Sequence, residues 1–144
     1  MGVRQLGLTI MEVAIIIAIV AIVAAVLIPS YGDYTHRAQA SEAVSLLSAA
    51  KTPLAEYFAE HKKWPPKLLS ETQGKYTQNV AISKGAGGTG ELELTATMKT
   101  EGVDRRVRGQ SVLLTTKDGG MNWVCRPGTM EVKNLPSSCR PDTK

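Results

Sequence analysis

The chain has 144 residues, 43% of them hydrophobic, two cysteines and a net charge of +4. That length leaves room for one domain with a modest core, and the hydrophobic residues crowd into the first thirty positions. From Lys62 to Lys144 there are fourteen Lys/Arg against eight Asp/Glu, and before that three against five, so the basic character belongs to the C-terminal part, as a face for polyanions or as a solvated surface.

Met1 to Gly7 carries a single Arg and no apolar block. Glu12 then heads a run from Val13 to Ile28 that holds no charge. A carboxylate beside a membrane-length run is costly and marks a functional position by default. Leu8 to Ile28 gives twenty-one residues, roughly 30 Å as helix and enough to cross a bilayer. The run exceeds a signal-peptide core and lacks a clean cleavage box, so a retained transmembrane helix is the better reading.

Pro29 is expected to kink the helix rather than stop it. Helical periodicity resumes beyond it at Ala43, Leu46, Leu47, Ala50, Leu54, Tyr57 and Phe58. Ser41, Glu42, Ser45, Ser48 and Lys51 mark the opposite, polar side. Pro53 should bend or weaken the pattern locally, and the helix should end before Trp64-Pro65-Pro66. A helix from Leu8 to His61 would be about 80 Å long. A small head cannot cover such a rod, so its first half must lie in membrane or among neighbouring copies.

Lys67 to Asn79 reads as polar loop. Val80-Ala81-Ile82 is a short strand candidate, and the glycine-rich stretch from Gly85 to Gly90 reads as a turn. Glu91 to Met98 alternates polar and apolar residues, the period of a strand with one buried face. Ser111 to Thr116 is a third strand, Asp118-Gly119-Gly120 a hairpin turn and Asn122 to Cys125 a fourth strand. The expected fold is α+β: a long N-terminal helix packed on a four-stranded antiparallel sheet.

The glycine cluster does not match a phosphate-binding loop, because no Gly-Lys-Ser/Thr follows it. No catalytic triad, carboxylate pair or metal-ligand spacing is present, and neither an enzymatic activity, a cofactor nor a metal is expected. Cys125 and Cys139 in an exported chain read as one disulfide.

Gly7-Leu8-Thr9-Ile10-Met11-Glu12, the apolar run, Pro29, and Tyr31-Gly32-Asp33-Tyr34-Thr35-His36-Arg37-Ala38-Gln39-Ala40-Ser41-Glu42-Ala43 together resemble a type IV pilin precursor of the short-leader kind. The resemblance is close over residues 2 to 58. In the head it rests on the strand pattern and the terminal cysteine pair. It implies the pilin fold, with a leader at 1–7, a transmembrane and filament-core helix at 8–28, an amphipathic helical half at 29–61 and a globular head at 62–144. It implies cleavage by a prepilin peptidase after Gly7, N-methylation of Leu8 and a requirement for Glu12 in assembly. It also implies that Cys125 and Cys139 close a surface loop of the head. Leu8 stands where the family usually has phenylalanine, Arg4 is the leader's one basic residue, and Ala21 occupies a position that is often glycine.

The partners implied are other copies of the chain in a helical filament, the peptidase, inner-membrane assembly machinery and, before assembly, lipid. Such a chain waits in the inner membrane with its head in the periplasm and ends on the cell surface. A carboxylate in low dielectric gains from an ammonium partner. Cleavage would create one at Leu8, and in a filament it can come from a neighbouring subunit. Arg105, Arg106, Arg108, Lys117, Arg126, Lys133, Arg140 and Lys144 are candidates for contact with DNA phosphates, which would suit a minor pilin acting as DNA receptor. A secretion pseudopilin is the third reading, and the cysteine pair counts against it.

Overall fold

The computed structural model describes residues 7–141, apart from the side chains of 28–31 and 33. Expectations for residues 1–6 of the leader and for Lys144 lie outside the described residues. The chain divides into two compact units, one ending at Tyr34 and one beginning at Thr35. Helix α1 spans Ile10–Ala49 and helix α2 spans Lys51–His61.

In the first unit, Ile10–Leu27 is long and apolar enough to cross a membrane. Its many β-branched residues have modest helix propensity in water. A helix satisfies every backbone group within itself, which is what an apolar medium demands. The helix continues through Pro29, so the proline does not end it.

Helix α1 gives way to α2 at Ala50, three residues before Pro53. Proline lacks an N–H, and its ring crowds the carbonyl four residues earlier, here that of Ala49. Ala50 keeps right-handed helical angles (φ −74°, ψ −18°). Hydrogen bonds from Ala50 N to Leu46 O and from Leu54 N to Ala50 O carry the ladder across the junction. The expected single helix is thus two helices with a one-residue joint. Helix α2 ends at Lys62, which adopts the left-handed conformation (φ 57°) and donates its N–H to Phe58 O.

The sheet holds four antiparallel strands in sequential order: β1 Thr77–Lys84, β2 Leu92–Met98, β3 Ser111–Thr116 and β4 Val124–Pro127. Strand β2 alternates strictly, with Leu92, Leu94, Ala96 and Met98 buried. Pairing sets Leu94 opposite Ile82 and Leu114, and Ala96 opposite Val80 and Val112. The apolar rows therefore line up across three strands. Against them pack Ala43, Leu47, Ala50 and Leu54, the centre of the helical stripe read from the sequence.

Two boundaries differ from expectation. Strand β1 starts at Thr77, inside the stretch read as loop. Strand β4 starts two residues later than expected because Asn122 belongs to the preceding turn. Its backbone N–H and Nδ2 donate to Asp118 Oδ1 and Oδ2, at 2.9 and 2.7 Å. Trp64, expected only to mark the helix end, is the largest fully buried side chain among the described residues. Its Nε1 donates to Gly90 O at 2.8 Å and its backbone N to Gly88 O at 2.7 Å. The glycine-rich β1–β2 connection is therefore wrapped over the indole, and Gly85 (φ 88°) has no room for a Cβ against Glu91 O.

Candidate functional site

The described N-terminal residues lie open. Gly7 and Leu8 are exposed, and among the described residues no atom lies within 4 Å of where a Gly7 Cβ would stand. Thr9 and Glu12 form a reciprocal cap on α1. Thr9 N and Oγ1 each donate to Glu12 Oε2 at 2.8 Å, and Glu12 N donates to Thr9 Oγ1 at 3.3 Å. This is the Thr-x-x-Glu capping box, which satisfies backbone donors that a helix start leaves orphaned. The Thr-x-x-Glu spacing alone is a legible sign of this cap. Within the chain, Glu12 therefore has a partner of its own.

Beyond the cap, twelve large apolar side chains from Ile10 to Leu27 are between 41% and 91% exposed. Removing that surface from water is worth on the order of 15 kcal/mol, taking about 2 kcal/mol per fully buried side chain and scaling by exposure. A surface of this size calls for an apolar surrounding.

In the second unit, Cys125 on β4 and Cys139 in a short 3-10 turn (Ser137–Cys139) are joined in a disulfide, with Cα atoms 5.1 Å apart. The bridge pins the chain's last loop to the edge strand. Another anchor was missed by the sequence reading. Glu42, placed there on the polar face of the helix, turns its carboxylate toward the chain ahead of β1. Oε1 accepts from Lys75 N at 2.5 Å, and Oε2 from Tyr76 N at 2.6 Å and Thr77 Oγ1 at 3.5 Å. A Cβ on Gly74 would overlap that carboxylate. One acidic residue in a polar row carries no sequence signal for such a role.

The basic residues named in the sequence fall at several places on the head. Arg106, Lys133 and Arg140 gather around the loop from Glu131 to Arg140, and Arg37 of α1, which the sequence reading did not single out, joins them. Arg37 Nε and Arg140 Nη2 both donate to Lys133 O, at 3.2 and 3.3 Å. Arg106 Nη1 lies 3.1 Å from Nδ1 of the buried His36, and Asn134 Nδ2 donates to Arg106 O at 3.3 Å. A cleft of about 310 Å³ lies between Arg106, Glu131, Lys133 and Asn134. Lys133 Nζ is paired with Glu131 at 2.6 Å. Lys117 sits elsewhere and shares Glu91 with Lys84, at 3.8 and 3.5 Å. Arg108 turns back to Val103 O at 3.4 Å, while Arg105 and Arg126 are exposed.

Residues 36–140 match the family model described as pilin, a bacterial filament protein. The chain belongs to the pilin family. It is 39% identical to a fimbrial protein, EcpC, of Eikenella corrodens over 94% of this chain and 91% of that protein. It is 35% identical to a type IV major pilin, PilE1, of Neisseria gonorrhoeae, covering 97% of this chain and 96% of that one. A fimbrial protein of Pseudomonas aeruginosa is 31% identical, over 94% and 96% of the two chains. Pilins are structural subunits of filaments and not enzymes. For this pilin the exposed apolar helix and the stapled head are accordingly parts of a building block.

Proposed function

We propose that this pilin is a structural subunit of a type IV pilus, cut after Gly7 by a prepilin peptidase, N-methylated on Leu8 and polymerised through its N-terminal helix. The observation that carries the reading is the helix Ile10–Leu27, none of which is buried within the chain. Before assembly, the lipid of the inner membrane covers it while the head stands in the periplasm. In the filament, the same helix of neighbouring subunits does so. Cleavage leaves an ammonium at Leu8. Glu12 then exchanges its Thr9 cap, or shares it, with the ammonium of an adjacent subunit, since ion pairing offsets the cost of a carboxylate in low dielectric.

The test is twofold. Gly7→Ala is expected to leave a full-length precursor by mass spectrometry. Glu12→Ala is expected to be processed normally and to yield no filaments in electron micrographs of sheared cells. Abundant filaments from Glu12→Ala would remove the assembly role, and a processed Gly7→Ala chain would remove the cleavage site.

Twitching motility, adhesion and DNA uptake are all uses open to such a filament. The convergence of Arg37, Arg106, Lys133 and Arg140 supports a second reading, a minor pilin that holds DNA phosphates. Contacts of that kind weaken steeply with salt. Retention of duplex DNA by purified filaments at low salt, lost at higher salt, is the expected result under this reading. No retention at low salt removes it.

A further inference from the structure

The head carries opposite charges at two separated places along its helices. One is the basic cluster. Arg37 and Arg140 reach for the same carbonyl oxygen, so their guanidinium groups are held side by side, and neither has a carboxylate partner among the described residues. Arg106 and Lys133 adjoin them, and Lys133 is paired with Glu131. The other is the outer face of α2. Glu56 and Glu60 are exposed and four residues apart, hence on one face of the helix. They form no ion pair among the described residues, and neither do Lys51, Lys62 and Lys63, the nearest lysines in sequence.

Arg37 and Arg140 repel each other in the isolated subunit, as do Glu56 and Glu60. Like charges at this helical spacing are mutually destabilising, and so are guanidinium groups sharing one acceptor. Nineteen residues separate Arg37 from Glu56, about 28 Å along two helices that meet at a single helical joint. Both lie in the unit that begins at Thr35. Complementary patches at separated places on one molecule cannot satisfy each other within a subunit. They can do so between subunits in a head-to-tail arrangement, which is the contact type that propagates into an open filament.

We infer that the Arg37–Arg106–Lys133–Arg140 cluster of one subunit docks on the Glu56–Glu60 face of α2 in a second copy of this chain. The contact rests on the filament-subunit reading above and adds a register-setting step to it. The apolar helix supplies most of the attraction and is indifferent to small shifts along its length. Discrete ion pairs between heads penalise wrong registers, because misalignment sets like charges opposite each other. Guanidinium forks suit this role, since each can grip a carboxylate with two parallel donors.

The test uses the full chain as the sole pilin of a pilus-forming host, with sheared filaments counted by electron microscopy and quantified by blot. The double reversal Arg37→Glu/Arg140→Glu is expected to lower filament yield about tenfold, and Glu56→Lys/Glu60→Lys to do the same. Combining all four is expected to restore yield to within about threefold of wild type, which a merely misfolded head could not do. Arg37→Gln/Arg140→Gln keeps side-chain donors for Lys133 O but removes the charge, and is expected to give an intermediate yield. Normal yield from both double reversals overturns the contact, as does failure of the combined swap to restore. Normal yield with lost DNA retention also overturns it and assigns the cluster to nucleic acid. If the wild-type chain itself makes no filaments, the subunit reading falls, which is a different outcome from any of these.

Discussion

The Glu42 anchor gives the sharpest stability prediction, because it joins parts of the chain that local sequence does not relate. Glu42→Ala removes the acceptor for two backbone N–H groups, those of Lys75 and Tyr76, bound at 2.5 and 2.6 Å. Hydrogen bonds to a charged group contribute about 1.5–3 kcal/mol each. Lys75 is exposed and its N–H can return to water, whereas Tyr76 is half-buried. The expected loss is therefore about 2–4 kcal/mol, less than two full bonds but more than one. Glu42→Gln is expected to lose about half of that, since an amide offers one oxygen and turns its NH2 toward the second N–H. In urea the midpoint should fall by about 1–3 M for the alanine variant. Both tryptophans, Trp64 and Trp123, lie in the head, so their emission from the full chain in detergent reports on that unit. Gly74→Ala supplies the cross-check. Its Cβ would collide with the Glu42 carboxylate, so it should be strongly destabilising alone and nearly neutral in the Glu42→Ala background. A midpoint shift under about 0.3 M for Glu42→Ala, or additive effects of the two changes, would refute the reasoning.

Three further outcomes are expected. Hydrogen bonds from Asn122 N and Nδ2, then from Thr116 Oγ1, hold the Asp118 carboxyl below the usual aspartate range. Its stabilisation is therefore complete above the unfolded-state pKa of about 3.9 and is lost as pH falls through the lower folded value. Asp118→Asn should be less stable than wild type at neutral pH and the gap should narrow on acidification, read from thermal midpoints across pH 2 to 6; a constant gap would count against the assignment. Lys62→Gly should raise stability by about 0.5–1 kcal/mol, because glycine adopts the left-handed C-cap conformation without a Cβ penalty. Chemical denaturation checks it, and a loss of stability would show that the lysine stem matters more than the cap. Cys125→Ala/Cys139→Ala opens a loop of sequence separation 14, worth about 3 kcal/mol in the chain-entropy model and roughly 10–20 °C in midpoint. Reductant should reproduce that shift in wild type and leave the variant unmoved; equal sensitivity of both to reductant would contradict it.

The fold was largely legible because its strongest signals are local. The alternation from Leu92 to Met98 and the stripe through Ala43, Leu47 and Leu54 each report burial through a period that neighbouring residues alone establish, and the uncharged run after Glu12 reports a membrane-length helix through its length. The errors sit where a side chain's partner is remote or where a turn takes more residues than its core dipeptide. Asp118 draws Asn122 out of β4. Pro53 shows its effect one helical turn upstream, at Ala49 and Ala50. The capping box of Thr9 and Glu12 is the exception, a polar pairing that local spacing does encode.

By itself, the sequence determined that this pilin carries a membrane-length apolar helix. A membrane-length helix headed by Gly7, Leu8 and Glu12 is written in composition and order, and its meaning does not depend on how the rest folds. Tertiary structure alone decided which polar residues matter in the head. Glu42 looked solvated and is an anchor, Trp64 looked like a terminator and is fully buried under the β1–β2 connection, and of the basic residues Arg106, Lys133 and Arg140 gather at one loop while Lys117 pairs with Glu91. Burial of apolar side chains follows from periodicity, which is a one-dimensional property. A charge takes its role from whichever group folding brings within about 3 Å, often dozens of residues away in sequence, and no local pattern records that distance.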